Sequence, residues 1–389
     1  MARPILPFRR VGEFLRTESA GGVVLMLATV TAIAWANLAP SSYTTTWTQH
    51  LSLPGPDHAL SLSAWVNEGL MAIFFFVVGL EIKREVVDGE LRDPRTASVP
   101  VAAAIGGMVF PALIFLIVTA GTDFGKGWGI PMATDIAFAI GILRIFGTRA
   151  PSGVGLTLLT LAIVDDLGAI AVIAIFYSHG FSLPALLGAI GVGGVAIVMR
   201  RFADHPAWYI LPAVILWLLV LRSGLHATIA GVMLGFLTPV RTRSGRDVLA
   251  SLEHALHPWS SFVVLPLFAL ANAGIVISGD RIADAARSPL AIGIGLGLVV
   301  GKVAGIGAGV FIATRLGGRL PPGVGPREVL TIGLLGGIGF TVSLFVAALA
   351  FNGTPLDIAK LAILVTSIAA AIAAAGMLRT IPSETDAPA

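Results

Sequence analysis

Cysteine is absent from the 389 residues, which excludes disulfide frameworks, thiolate metal centres and thiol nucleophiles. Charge is scarce as well. Asp, Glu, Lys and Arg together supply 12%, about half of the roughly 25% usual in a soluble domain, and this excludes a soluble single-core globule. The formal net charge of +3 is too small to argue for nucleic acid as a partner. What fills the chain instead is apolar: hydrophobic residues reach 56%, with 46 glycines besides. A disordered chain needs the opposite balance, low hydrophobicity with high net charge. Lipid is the solvent that this composition fits.

Apolar runs of about 17 to 25 residues, long enough to cross the hydrocarbon core as helix, recur twelve times, near 14–36, 62–82, 98–119, 127–147, 153–177, 183–199, 207–222, 225–240, 258–278, 289–313, 328–351 and 357–378. The expected fold class is therefore an all-α integral membrane protein, a single transmembrane domain over 1–389 with twelve transmembrane helices. An even number of spans puts both termini on one side. Sorting Lys and Arg by nearest loop leaves 19 on that side, among them Arg9, Arg10, Lys83, Arg84, Arg200, Arg201 and Arg315, and five on the other: Lys126, Arg222, Arg281, Arg287 and Lys360. Basic loops stay inside, so both termini are expected in the cytoplasm. The segment 1–13 starts basic, but no short apolar core with a small-residue cleavage site precedes the first span, and no removable signal peptide is expected. Between spans, Leu51 to Ser63 carries Pro54-Gly55-Pro56-Asp57 between alternating short runs and reads as a hairpin on the outer face. It is either a plain loop or a ribbon joining two subunits. The tail 383–389, made of Ser, Thr, Asp, Glu, Pro and Ala, reads as disordered.

Four ionisable residues fall near the middle of spans, where a charge costs at least about 2.5 to 3.5 kcal/mol on insertion scales and needs a partner or a function. They are Asp135, Asp165, Asp166 and Lys302. Three acids against one base leave surplus negative charge, which a purely structural ion-pair network does not neutralise. The surplus invites a cation or protons. Successive helical residues lie about 100° apart, so Asp165 and Asp166 cannot face one way: one can pair with Lys302 while the other faces a wet cavity. Two acids this close titrate as a coupled pair, and an ionised carboxylate suits a small hard cation.

Two spans look interrupted. Gly125, Gly127, Gly129 and Pro131 precede Asp135 in the fourth, and Gly333, Gly336, Gly337 and Gly339 run through the eleventh. For either span alone, close helix packing explains these residues equally well. Their matching positions in two three-helix units, 98–178 and 289–380, point instead to inverted-topology repeats with the site at two discontinuous helices. Half-helices expose dipole ends at mid-membrane. Asp135 is suited to offset the positive ends and Lys302 the negative ones.

Several motifs then occur in order: Ser19-Ala20-Gly21-Gly22, Gly79-Leu80-Glu81-Ile82-Lys83-Arg84-Glu85, Ala133-Thr134-Asp135-Ile136-Ala137-Phe138-Ala139, Ala162-Ile163-Val164-Asp165-Asp166-Leu167-Gly168-Ala169-Ile170, Ser223-Gly224-Leu225-His226-Ala227-Thr228, Leu252-Glu253-His254-Ala255-Leu256-His257-Pro258, Leu267-Phe268-Ala269-Leu270-Ala271-Asn272-Ala273-Gly274 and Gly336-Gly337-Ile338-Gly339-Phe340-Thr341. With them the chain resembles, over nearly its full length, the NhaA family of bacterial sodium/proton antiporters. The resemblance implies an NhaA-like fold in the bacterial inner membrane, with the fourth and eleventh helices unwound and crossing. It implies electrogenic antiport, in which sodium or lithium leaves as a larger number of protons enters, and no resident cofactor. Asp166 becomes the principal sodium ligand and Asp165 the partner of Lys302. Both carry ions and protons, Asp135 and Lys302 balance the dipoles, and Thr134 is a ligand or an orienter, or only a cap. A homodimer through the 51–63 hairpin is also implied, as is activation at alkaline pH. Glu81, Arg84, Glu85, Glu253, His254 and His257 match groups tied to that activation, and His226 a further one. Glu81, Arg84 and Glu253 read equally well as helix-end ion pairs. Two departures stand out: Val248-Leu249-Ala250-Ser251-Leu252 is less basic than is familiar, and Glu68 replaces the familiar Asp.

The mechanism expected is competition, with sodium and protons using the same carboxylates from one side at a time. That describes a transporter, not an enzyme. The rival readings are an intramembrane aspartyl protease built on Asp135 and Asp166, which lacks the expected Gly-x-Gly-Asp and Tyr-Asp contexts, and a membrane prenyltransferase, whose Asp-Asp-x-x-Asp run lacks its third acid here.

Overall fold

The computed structural model describes residues 7–52, 59–178, 180–202, 206–242 and 245–381; the expected tail at 383–389 lies outside the described residues. Helix dominates because a backbone in lipid must satisfy its own hydrogen bonds. In chain order, α1 (Pro7–Leu38) and α2 (Pro40–Thr48) precede β1 (His50–Ser52) and β2 (Ala59–Ser61), which pair antiparallel with Leu51 opposite Leu60. The hairpin expected at 51–63 is thus present in its two arms, its tip at 53–58 lying outside the described residues. From α3 (Leu62–Ala64) the chain passes through a π-helical stretch, Trp65–Leu70, into α4 (Met71–Asp88). There follow α5 (Pro94–Val118), α6 (Ile136–Phe146), α7 (Ser152–Phe176), α8 (Leu183–Met199), α9 (Ile210–Arg222) and α10 (Thr228–Leu237). A second π-helical stretch, Ser260–Val264, joins α11 (Val248–Trp259) to α12 (Leu265–Asn272). After α13 (Gly279–Arg287), a third, Gly297–Gly301, joins α14 (Pro289–Leu296) to α15 (Lys302–Arg315). The last helices are α16 (Pro326–Gly336), α17 (Phe340–Ala350) and α18 (Thr354–Arg379).

Among the described residues, six continuous helical stretches are long and apolar enough to cross a membrane: Ala20–Leu38, Thr96–Val118, Ser152–Phe176, Val248–Asn272, Pro289–Arg315 and Thr354–Arg379. Two helix pairs bent by 45°, Asp123–Met132 with Ile136–Phe146 and Pro326–Gly336 with Phe340–Ala350, raise the number to eight. The chain is a multi-pass membrane protein. One expected span is displaced: helix begins at Val248, not near 258, and stops at Asn272. The Asp247 carboxylate starts it by accepting the Ala250 N–H (3.0 Å). Tyr43 closes it: its hydroxyl lies 2.9 Å from the Leu270 and Ala271 carbonyls and accepts the Gly274 N–H. That buried hydroxyl has its pKa pushed up to about 12, by burial above all, against the lowering effect of the Gly274 N–H. Ile275 and Val276 are apolar but not helical.

The chain divides into two compact units. Among the described residues, the first contains 7–30, 94–165 and 277–381. Its tightest pair is α5 with α15, where Gly106, Gly305 and Gly309 let the two backbones touch. A β-carbon at Gly305 would overlap the Gly106 carbonyl, a close approach typical of helices that associate in lipid. The second unit contains 31–93 and 166–276. There α4 and α10 approach through Gly79, Gly231 and Gly235, while Ala189, Leu216, Val220 and Ala230 form a core at α8, α9 and α10.

Candidate functional site

In the first unit both bent pairs open their backbone at the same place. After the 3₁₀ turn Ile130–Met132, Ala133 is extended and Asp135 starts α6. Between α16 and α17 the chain runs through Gly337, Ile338 and Gly339, and a β-carbon at Gly337 would come within 2.5 Å of the Leu298 carbonyl. The Asp135 N–H donates to the Ile338 carbonyl (2.6 Å), tying the two breaks together. The Asp135 side chain then serves both following half-helices. Its Oδ1 accepts the Phe138 N–H (3.0 Å), and its Oδ2 accepts the Thr341 N–H (3.0 Å) and hydroxyl (2.5 Å). One carboxylate thus caps α6 and α17, facing the positive end of each. Ser343 adds a bond from its hydroxyl to the Ile130 carbonyl (2.8 Å).

Lys302 follows the π-helical stretch Gly297–Gly301, and its N–H reaches back to the Gly297 carbonyl. Such wide turns are rare and often sit at functional sites. Here the stretch packs on prolines, with Gly297 against Pro131 and Gly301 against Pro111. The Lys302 side chain is 0% exposed, and its ammonium donates to Asp165 Oδ2 at 2.5 Å. Thr134, from the first break, puts its hydroxyl 2.7 Å from the same oxygen and 2.9 Å from the Gly336 carbonyl, the last residue of α16. Two donors therefore converge on Oδ2. Asp165 Oδ1 is buried with no hydrogen-bond partner among the described residues. Asp166, the next residue of α7, is buried also and begins the second unit. Among the described residues no three His, Cys, Asp or Glu converge as a resident metal centre would require.

The second unit gathers most of the other expected residues. Arg84 bonds Glu253, and Glu85 at 3.3 Å; His257 lies 3.9 Å from Glu81. Glu253 is buried. His254, one residue on, is exposed on the other face of α11. His226 lies in the turn between α9 and α10, outside that group of contacts: its Nε2 is 2.8 Å from the Tyr177 carbonyl and its Nδ1 is 3.2 Å from Glu68 Oε1. A carbonyl only accepts, so Nε2 carries a proton while Nδ1 faces the Glu68 carboxyl group. Glu68 also accepts the Ala227 N–H (2.9 Å).

Sequence reasoning noted Glu68 only as a departure and did not see this tie. It also missed the reciprocal amide pair Asn67–Asn272 (2.8 and 3.3 Å) and the capping of α10 by Lys83, whose ammonium donates to the Phe236 and Thr238 carbonyls. Burial, followed by nearby Arg200, pulls the Lys83 pKa down. The partners lie 150 or more residues apart in sequence, and no local pattern links them.

A family model described as Na+/H+ antiporter 1 matches residues 12–378. The chain belongs to this family. It is 45% identical over 375 residues to the Na(+)/H(+) antiporter NhaA of Pectobacterium carotovorum, covering 93% of this chain and 94% of that one. It is 43% identical to Na(+)/H(+) antiporter NhaA 2 of Myxococcus xanthus, covering 94% and 88%. Its fold is similar to that of the sodium proton antiporter MjNhaP1 of Methanocaldococcus jannaschii, with a TM-score of 0.56 at 16% identity over 96% of this chain and all of the other.

Proposed function

We propose that the chain is an electrogenic sodium/proton antiporter that expels Na+, or Li+, in exchange for a larger number of protons by alternating access. The observation that carries this reading is the state of Asp165. Its Oδ2 is held by an ammonium and a hydroxyl, while its Oδ1 is buried and unpartnered. A buried carboxylate oxygen without a donor is costly, and a proton or a small cation relieves that cost. Asp166 on the same helix supplies the second carboxylate and is the principal cation ligand. Asp165 keeps its Oδ2 on Lys302 and offers its Oδ1 to the incoming ion, with Thr134 beside it as ligand or orienter. Asp135 and Lys302 hold the charge balance of the interrupted helices. Nothing covalent changes, so the chain is a transporter rather than an enzyme.

The family supports the finer parts of the reading. In this reading the chain has twelve spans with inverted repeats 98–178 and 289–380, and the excess of Lys and Arg on the terminus side keeps both termini in the cytoplasm of a bacterial inner membrane. Two copies pair through the 51–63 hairpin. Glu81, Arg84, Glu85, Glu253, His254, His257 and, separately, His226 set the alkaline activation. A proteolytic reading has no support: the relatives are antiporters, and Asp135 has both oxygens engaged in capping two helices.

The test is sodium-driven proton movement in inside-out vesicles. Wild type should exchange and Asp166→Asn should not; an Asp166→Asn protein working at the normal rate overturns the proposal.

A further inference from the structure

We infer that Thr134 is a positioning residue, not a cation ligand: it pins Asp165 Oδ2 and thereby aims Oδ1 at the ion. The inference rests on the reading of Asp165 as an exchanging carboxylate. Thr134 sits in the extended link before α6 and is buried. Its hydroxyl lies between two acceptors, Asp165 Oδ2 at 2.7 Å and the Gly336 carbonyl at 2.9 Å. It has one proton to give, so both acceptors hold the oxygen in place while only one is served at a time. The charged groups around it are Asp165 on α7, Lys302 on α15 and Asp135 next in the chain; α16 presents its terminal carbonyl here, its own charges Arg327 and Glu328 lying at its other end.

The arrangement is asymmetric. The Lys302 ammonium stands on the same Oδ2 at 2.5 Å, so a cation bound to the Thr134 oxygen would lie against a positive charge. Oδ1 has no such neighbour and no donor among the described residues. Two donors on Oδ2 also stop the carboxylate from rotating about its own axis. The two oxygens thereby divide their roles, with Oδ2 fixed to the protein and Oδ1 presented for exchange. Through the Gly336 carbonyl, the same hydroxyl ties the carboxylate's orientation to the end of α16.

The experiment measures Na+ binding by calorimetry to the purified full-length chain in detergent, for wild type, Thr134→Ser, Thr134→Val, Asp165→Asn and the double variant Thr134→Val/Asp165→Asn. A hydrogen bond to a charged group is lost in Thr134→Val, and Na+ affinity should fall about tenfold. Thr134→Ser keeps the hydroxyl and should stay within about twofold of wild type. In the Asp165→Asn background Thr134→Val should add nothing, because residues acting through one another are not additive. A direct ligand would weaken binding equally in both backgrounds, which would overturn the inference, as would an unchanged affinity in Thr134→Val alone.

Infrared spectra in Na+-free buffer decide the case where Asp165→Asn binds too weakly to measure. Thr134→Val should shift a carboxylate band that is absent from Asp165→Asn, and no shift overturns the positioning role. If Asp165→Asn itself leaves Na+ affinity at the wild-type value, the underlying reading of Asp165 has failed instead, a distinct result.

Discussion

Replacing Asp135 tests the interrupted helices most sharply, because the structure assigns each of its oxygens a different task. In Asp135→Ala the N–H groups of Phe138 and Thr341 both lose their acceptor. A buried unsatisfied donor costs about 1 to 3 kcal/mol, and more where the lost partner was charged. The local opening energy at the two half-helix starts should therefore fall by about 3 to 6 kcal/mol in all, and each 1.4 kcal/mol is about a tenfold loss of amide protection. In Asp135→Asn the amide oxygen can keep the Phe138 N–H while the NH2 group faces the Thr341 N–H, two donors that cannot bond. Protection should then drop at Thr341 and persist at Phe138. The Asp135 N–H, which bonds the Ile338 carbonyl through the main chain, serves as an internal reference. Hydrogen–deuterium exchange with mass spectrometry on the purified protein reads all three. Unchanged exchange at Phe138 and Thr341 in Asp135→Ala, or equal loss at both in Asp135→Asn, would refute the capping argument.

Two further outcomes follow from the same geometry. Lys302→Gln should lower thermal stability by an amount typical of breaking a buried ion pair, about 3 to 5 kcal/mol, and Asp165→Asn in that background should recover part of the loss; a melting series that shows no recovery contradicts the pairing of these two residues. Tyr43 makes a pH prediction. Its pKa rises from 10.0 to about 12 on folding, so the folded state holds the phenolic proton more tightly. The stability this contributes is complete below pH 10 and is lost as pH rises toward 12. Tyr43→Phe should melt earlier than wild type at pH 8, and the gap should narrow between pH 10 and 12; a constant gap contradicts the assignment.

The sequence made the membrane class legible, since uncharged runs of span length have one physical home. The helix breaks were legible too, because Pro131 and Gly336-Gly337 lower the cost of leaving the helix where a neighbouring backbone comes close. The four intramembrane charges announced themselves by their cost. The pairing of Lys302 with Asp165 was legible only through the family resemblance, because the two are 137 positions apart, and no periodicity says which oxygen Thr134 and Lys302 share. The π-helical stretches left no trace either, as their residues suit an ordinary helix. The misplaced start of α11 has a plain cause: that helix carries Glu253, His254 and His257, and Val248–Asn272 is the least apolar of the six long stretches. Glu68 looked like a conservative departure because its partner, His226, lies 158 residues on.

The measurement that bears most directly on the account is proton release during sodium binding. Purified protein in weakly buffered detergent is titrated with NaCl at a series of pH values, starting where the carboxylates are protonated, while a dye follows free protons. If Na+ and protons compete for Asp165 and Asp166, each Na+ bound must displace protons, and the apparent Na+ affinity must weaken by about tenfold or more per pH unit once the carboxylates are protonated. Sodium that binds with no proton release, and with the same affinity at every pH, would contradict it.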